Sequence, residues 1–134
     1  MAGYSGTPLA KKLGIKDKFK AFAVAAPNNY RALLEPLPEH VLITSTVDST
    51  TNLVHLFTAK RAALSKELAG FRAKLSLSAT VWVSWPRKSG KVPIEVTENT
   101  VREIVLPMGF VDLKVCAIDE IWSALKLVVR KELR

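Results

Sequence analysis

A chain of 134 residues with 20 lysines and arginines against 12 aspartates and glutamates carries a formal net charge of +8, and its size fits a single domain, residues 1–134, with one core of its own. A hydrophobic share of 49% beside 24% charged residues is an ordinary globular composition and argues against a largely disordered chain. The lone Cys116 rules out an internal disulfide and suits a reducing compartment. The longest apolar runs have strand length and the first twelve residues hold no apolar signal-peptide core, so a cytoplasmic location is expected.

The elements follow in chain order. Thr7 can cap a short helix, Pro8 suits its first position, Leu9 and Leu13 give it an apolar face, and Gly14 suits its exit. Residues 19–25 read as a first strand, small and apolar enough to be buried on both sides. Asn28 or Asn29 then caps a brief helix through Tyr30, Leu33 and Leu34, which Pro36 ends by disfavouring helix at Glu35. Residues 41–43 are a second strand and residues 53–57 a third, nearly continuous in apolar character.

Residues 59–75 give the clearest helix, with Leu64, Leu68, Phe71 and Leu75 on one stripe. Residues 80–85 form a β-branched and aromatic strand. A basic loop over residues 86–96 leads to Thr97, which caps a helix carrying Val101, Ile104 and Val105, and Pro107 and Gly109 close it. Residues 111–118 and 121–129 are two strands around Asp119-Glu120, a hairpin. Alternating strands and helices with a terminal hairpin predict an α/β fold: a mainly parallel sheet, helices on both faces, and one antiparallel strand.

The segment Val81-Trp82-Val83-Ser84-Trp85-Pro86, the helix from Thr97-Glu98 and the step Gly109-Phe110 resemble the second half of a Rossmann-like S-adenosylmethionine-dependent methyltransferase. The resemblance covers residues 50–130 and implies a reduced methyltransferase-like fold. The first half departs from that pattern. No glycine lies between Gly14 and Gly70, and the turn that is glycine-rich in such folds reads Ala25-Ala26-Pro27-Asn28-Asn29. Thr44-Ser45 stand where the class has an acidic residue for the ribose hydroxyls, and Asn52 stands where an aspartate is common. The opening YSGTPLAKKLGIK, the loop WPRKSG and the ending VDLKVCAIDEIWSALKLV also resemble an uncharacterised bacterial domain family, a resemblance that implies a bacterial origin and no catalytic residues.

In open parallel sheets ligands bind beyond the carboxyl ends of the strands, where strand order reverses. That rule nominates four loops, at residues 26–29, 58–61, 85–91 and 119–122. The candidate ligand-binding residues are Asn28, Asn29, Lys60, Arg61, Trp85, Arg87, Lys88 and Lys91: five cations beside one indole able to stack a planar group. Asp119 and Glu120 read as turn residues, Cys116 as an inert core thiol and His55 as a satisfied core histidine. One cysteine and two separated histidines supply no zinc ligand set, and no nucleophile elbow or phosphate-cradling loop is present. The basic residues are spread along the chain, so nucleic-acid binding is expected to be weak and sequence-independent. The expectation is a non-catalytic domain that takes an anionic small molecule or a protein partner, with no cofactor and no metal. A divergent methyltransferase is the alternative, and a weak nucleic-acid-binding module the third reading.

Overall fold

A computed structural model describes residues 8–87 and 95–134. Its six strands are β1 (Lys20–Val24), β2 (Leu42–Thr44), β3 (Leu53–Phe57), β4 (Thr80–Pro86), β5 (Phe110–Ala117) and β6 (Trp122–Val129). They form one sheet in the order β2-β1-β3-β4-β6-β5. Neighbours from β2 to β4 pair in parallel. β6 is antiparallel to both β4 and β5, so it is the one reversed strand. The fold is the expected mainly parallel, Rossmann-like sheet with a C-terminal antiparallel hairpin.

Among the described residues the α-helices are α1 (Leu9–Leu13), α2 (Tyr30–Leu34), α3 (Arg61–Lys74) and α4 (Glu98–Val105). Strand side chains alternate between faces, and this divides the core in two. Val54, Leu56, Val81, Val83 and Trp85 pack under Leu64, Leu68 and Phe71 of α3 and Val101 and Val105 of α4. Leu53, Phe57 and Trp82 face Leu9 and Leu13 of α1 and Tyr30 and Leu34 of α2. All five residues of β3 are buried, His55 among four apolar neighbours.

Two expectations are corrected. The first strand packs on both faces but less fully than expected: Ala21 is buried and Ala23 half-buried in the core beneath α1 and α2, while Phe22 and Val24 are half-buried against the core beneath α3 and α4. Asn29 does stand at the N-cap of α2, yet its side chain makes no capping bond. Its backbone, at φ −91° and ψ 13°, leaves the extended conformation that aims a cap side chain at the helix, and only its carbonyl accepts, from Leu33 N–H at 2.9 Å. Thr97 behaves as expected and accepts from Thr100 N–H. At Gly109, φ is +99° and a Cβ would lie 2.9 Å from Leu133 and 3.2 Å from Arg72, so the step into β5 requires glycine.

The turn after β1 keeps the backbone shape of a glycine turn without the glycine. Ala25 has φ +57°, in the left-handed region where a Cβ crowds its carbonyl. Ala25 is exposed, so nothing but local backbone shape is at stake. Replacing Ala25 by glycine is expected to stabilise the protein by about 0.5–1 kcal/mol, read as a shift in urea midpoint at constant slope.

Candidate functional site at the carboxyl edge of the sheet

Strand order reverses between β1 and β3, so the turns after these two strands open side by side. β3 and β4 are parallel, and β5 runs in their direction because β6 reverses between them. All four nominated loops therefore emerge at one edge. Asn28 and Asn29 are exposed there, as is Arg87. Lys88 and Lys91 lie outside the described residues.

Local chemistry fixes each loop. The Thr58 hydroxyl accepts from Lys60 N–H at 3.1 Å and ties the end of β3 to the start of α3. Arg87 N–H donates to the Ile121 carbonyl at 2.7 Å, and its Nε donates to Ser123 Oγ at 3.1 Å, clamping the β4 exit to β6. The Asp119 carboxylate accepts from the N–H groups of Ile121 and Trp122, each at 2.8 Å. That is turn chemistry, as the hairpin reading expected.

Glu95 meets two of the five cations. Its carboxylate accepts from Arg61 N–H at 3.2 Å and lies 3.5 Å from Lys60 Nζ. The Arg61 backbone bond, followed by the charges of Lys60 and Arg61, holds the Glu95 carboxyl below the usual range. Arg61 also approaches Glu103 at 4.0 Å. An anion arriving at the start of α3 must therefore compete with a carboxylate of the same chain.

The stacking role given to Trp85 is corrected. Its side chain is 7% exposed and belongs to the core beneath α3 and α4, because its position in β4 points it inward with Val81 and Val83. The indole at this edge is Trp122, half-buried and edge-on to Phe57 at 5.0 Å.

Behind the edge lies a buried polar network. His55 is fully buried, stacked on Phe57 at 4.2 Å. The Tyr30 hydroxyl is 2.8 Å from His55 Nδ1, and Ser84 Oγ is 2.5 Å from Nε2. Burial depresses the His55 pKa to about 3, so the ring is neutral and bonds at both nitrogens. Burial pushes the Tyr30 phenol upward. Ser84 beside a histidine has the form of a nucleophile and its base, but both residues are 0% exposed, so no substrate reaches them. The network instead pins Tyr30, the residue after Asn29, against the sheet and so fixes the turn at the strand-order reversal. The histidine alone signalled it in sequence: a titratable ring inside an apolar strand needs partners. Cys116 is half-buried, with burial raising its thiol pKa.

Two features fall outside the nominated loops. Asp17, Glu39 and His40, brought together before β1 and β2, form an exposed cluster with His40 Nδ1 3.3 Å from Asp17. A cleft of about 450 Å³ lies between Pro8–Lys16 and Pro36–Pro38, at the opposite end of the sheet.

No family model matches the chain, so the resemblance to an uncharacterised bacterial family gains no support, and no curated protein matches it. Solved structures do. A SAM-dependent methyltransferase from Aquifex aeolicus superposes with a TM-score of 0.62 at 11% identity, over 91% of this chain and 88% of that one. A putative type 11 methyltransferase from Sulfolobus solfataricus gives 0.62 at 13% identity, over 92% and 90%. The magnesium protoporphyrin IX methyltransferase ChlM of Synechocystis PCC 6803, with bound SAM, gives 0.57 at 9% identity, over 91% and 74%. Identities this low speak for architecture alone: the chain has the methyltransferase-like Rossmann fold.

Proposed function

We propose that this domain binds an anionic small molecule at the carboxyl edge of its sheet and transfers no methyl group. Asn28, Asn29, Lys60, Arg61, Arg87, Lys88 and Lys91 are the residues assigned to it, with Trp122 in place of Trp85 as the aromatic wall. The observation that supports this reading is that β3 and β4 run in parallel, so their exits, which carry Lys60, Arg61 and Arg87, share one edge of the sheet. Local chemistry opposes methyl transfer. Thr44, where the fold's enzymes hold ribose hydroxyls with an acid, donates its hydroxyl to the Thr46 carbonyl at 2.8 Å. Ribose hydroxyls without that acceptor forfeit about 1–3 kcal/mol. The second reading is a divergent SAM-dependent methyltransferase, favoured by the fold of the neighbours above.

Isothermal titration separates the two. S-adenosylmethionine is expected to give no saturable heat; a stoichiometric heat at micromolar affinity establishes the second reading. Citrate and ATP serve as anionic probes. Replacing Arg87 and Lys88 together by alanine is expected to weaken them at least tenfold while leaving the fold intact, because the Arg87 backbone N–H keeps its bond to the Ile121 carbonyl when the side-chain bond to Ser123 is lost. Unchanged affinity in that variant refutes the site.

A further inference from the structure

A second cationic cluster lies away from the loops above. In the antiparallel pairing of β5 with β6, Lys114 stands directly opposite Lys126. Lys126 in turn is the register partner of Trp82, near the amino end of β4. The Trp82 indole N–H donates to the Leu13 carbonyl at 2.9 Å, which seats the end of α1 on this stretch of sheet. Lys126 Nζ therefore reaches Gly14, lying 3.8 Å from where a Cβ would stand. Lys16 follows two residues later and acts on the same ammonium, while Lys12 and Lys114 both act on the Cys116 thiol.

Lys114 and Lys126 thus share one strand pair beneath the end of α1, and Lys12 and Lys16 flank that end at Gly14. Among the described residues none of the four makes an ion pair: the ion pairs involve His40, Lys60, Arg61, Arg102 and Arg130. Burial lowers the Lys126 pKa, and the charges acting on it, Lys114 and Lys16, are both positive and lower it further. Like charges directly opposite on neighbouring strands destabilise a sheet, and a partly buried ammonium adds desolvation. A multiply charged anion removes both penalties at once.

We propose that Lys12, Lys16, Lys114 and Lys126 form a binding site for a small, multiply charged phosphate compound. Lysine suits this ligand as a compact charge with three donors that turn to meet phosphate oxygens. Lys114 and Lys126 face each other across one strand pair, and Lys12 and Lys16 stand on either side of the helix end seated on it. Two ammonium groups facing each other across a strand pair suit the two charged ends of a diphosphate, a shorter ligand than an extended nucleic-acid backbone. The site is independent of the carboxyl-edge loops, since Trp82 and Leu13 mark the other end of the sheet.

The test is a titration with inorganic pyrophosphate, by calorimetry and thermal shift, at constant ionic strength set with chloride. Saturable binding and a raised Tm are expected. The K114Q/K126Q variant is expected to lose at least tenfold in affinity. Without ligand it is expected to melt at or above the parent temperature, because the repulsion is gone, which keeps a folding defect distinguishable from a lost site. The Arg87 and Lys88 variant should bind pyrophosphate here unchanged, so failure at one site is separable from failure at the other. Three results overturn the proposal: no saturable binding, binding indifferent to K114Q/K126Q, or a twelve-nucleotide single strand that binds through these lysines when pyrophosphate does not.

Discussion

Acidifying the protein from pH 7 to pH 4.5 is expected to cost about 2–3 kcal/mol of stability through His55 alone. The ring is fully buried, with Tyr30 on one nitrogen and Ser84 on the other. Burial sets its folded pKa at about 3, against 6.5 in the open chain. Below pH 6.5 the unfolded chain takes up a proton that the native state refuses, so the equilibrium moves toward unfolding as pH falls. The contribution is complete above about pH 6.5 and lost progressively down to about pH 3, where it approaches 4–5 kcal/mol at about 1.4 kcal/mol per unit. The upper part of this window lies ahead of the carboxylates. Glu95, Asp48 and Asp112 have lowered pKa values, so what they contribute disappears only at more acid pH. Urea melts of the parent and of His55→Gln at pH 7 and pH 4.5 decide the matter. Glutamine has a donor and an acceptor for the two hydroxyls but does not titrate in this range. The variant should be nearly flat between the two pH values; an equal slope in both proteins rules out the assignment.

Replacing Trp82 by alanine is expected to destabilise the protein by about 3–5 kcal/mol, the range for emptying a buried aromatic site. Trp82 is 0% exposed and central to the core beneath α1 and α2. It also donates its indole proton to the Leu13 carbonyl, a group at the end of a five-residue helix too short to hold itself. Trp82→Phe separates the two contributions. It keeps much of the bulk, removes the donor, and should cost less overall while loosening α1 selectively. Hydrogen exchange reads this directly: the amides of Lys12, Gly14 and Ile15, which bond within α1 and its exit, should lose protection in Trp82→Phe before those of β3 and β4. Uniform loss of protection across the molecule argues instead that Trp82 only fills space.

Much of the scaffold was legible before any coordinates. The α3 stripe of Leu64, Leu68 and Phe71 is buried as its spacing demands, and the strand at residues 53–57 has the expected bounds. Thr97 caps α4, Gly14 and Gly109 end their elements with positive φ, and Asp119 makes the hairpin turn. These signals are local: periodicity, caps and turn residues act within a few positions, so the sequence carries them in the open. Strand alternation with a final hairpin also dictated a mainly parallel sheet, because short connections leave few alternatives.

What only the tertiary structure decided concerns where side chains end up once strands pair. The sequence nominates Trp85 as the indole for a ligand, yet register turns Trp85 into the core and leaves Trp122 at the edge. Glu95, 34 residues from Arg61, meets its backbone N–H only because α3 begins beside the approach to α4. Tyr30, His55 and Ser84 come from three separate elements, and Lys114 faces Lys126 through a strand register that composition does not encode. The net charge of +8 was plain from the first line, but which cations meet a carboxylate and which meet each other is a property of the folded chain. Electrostatic energy depends on distance in space, and the sequence orders only distance along the chain.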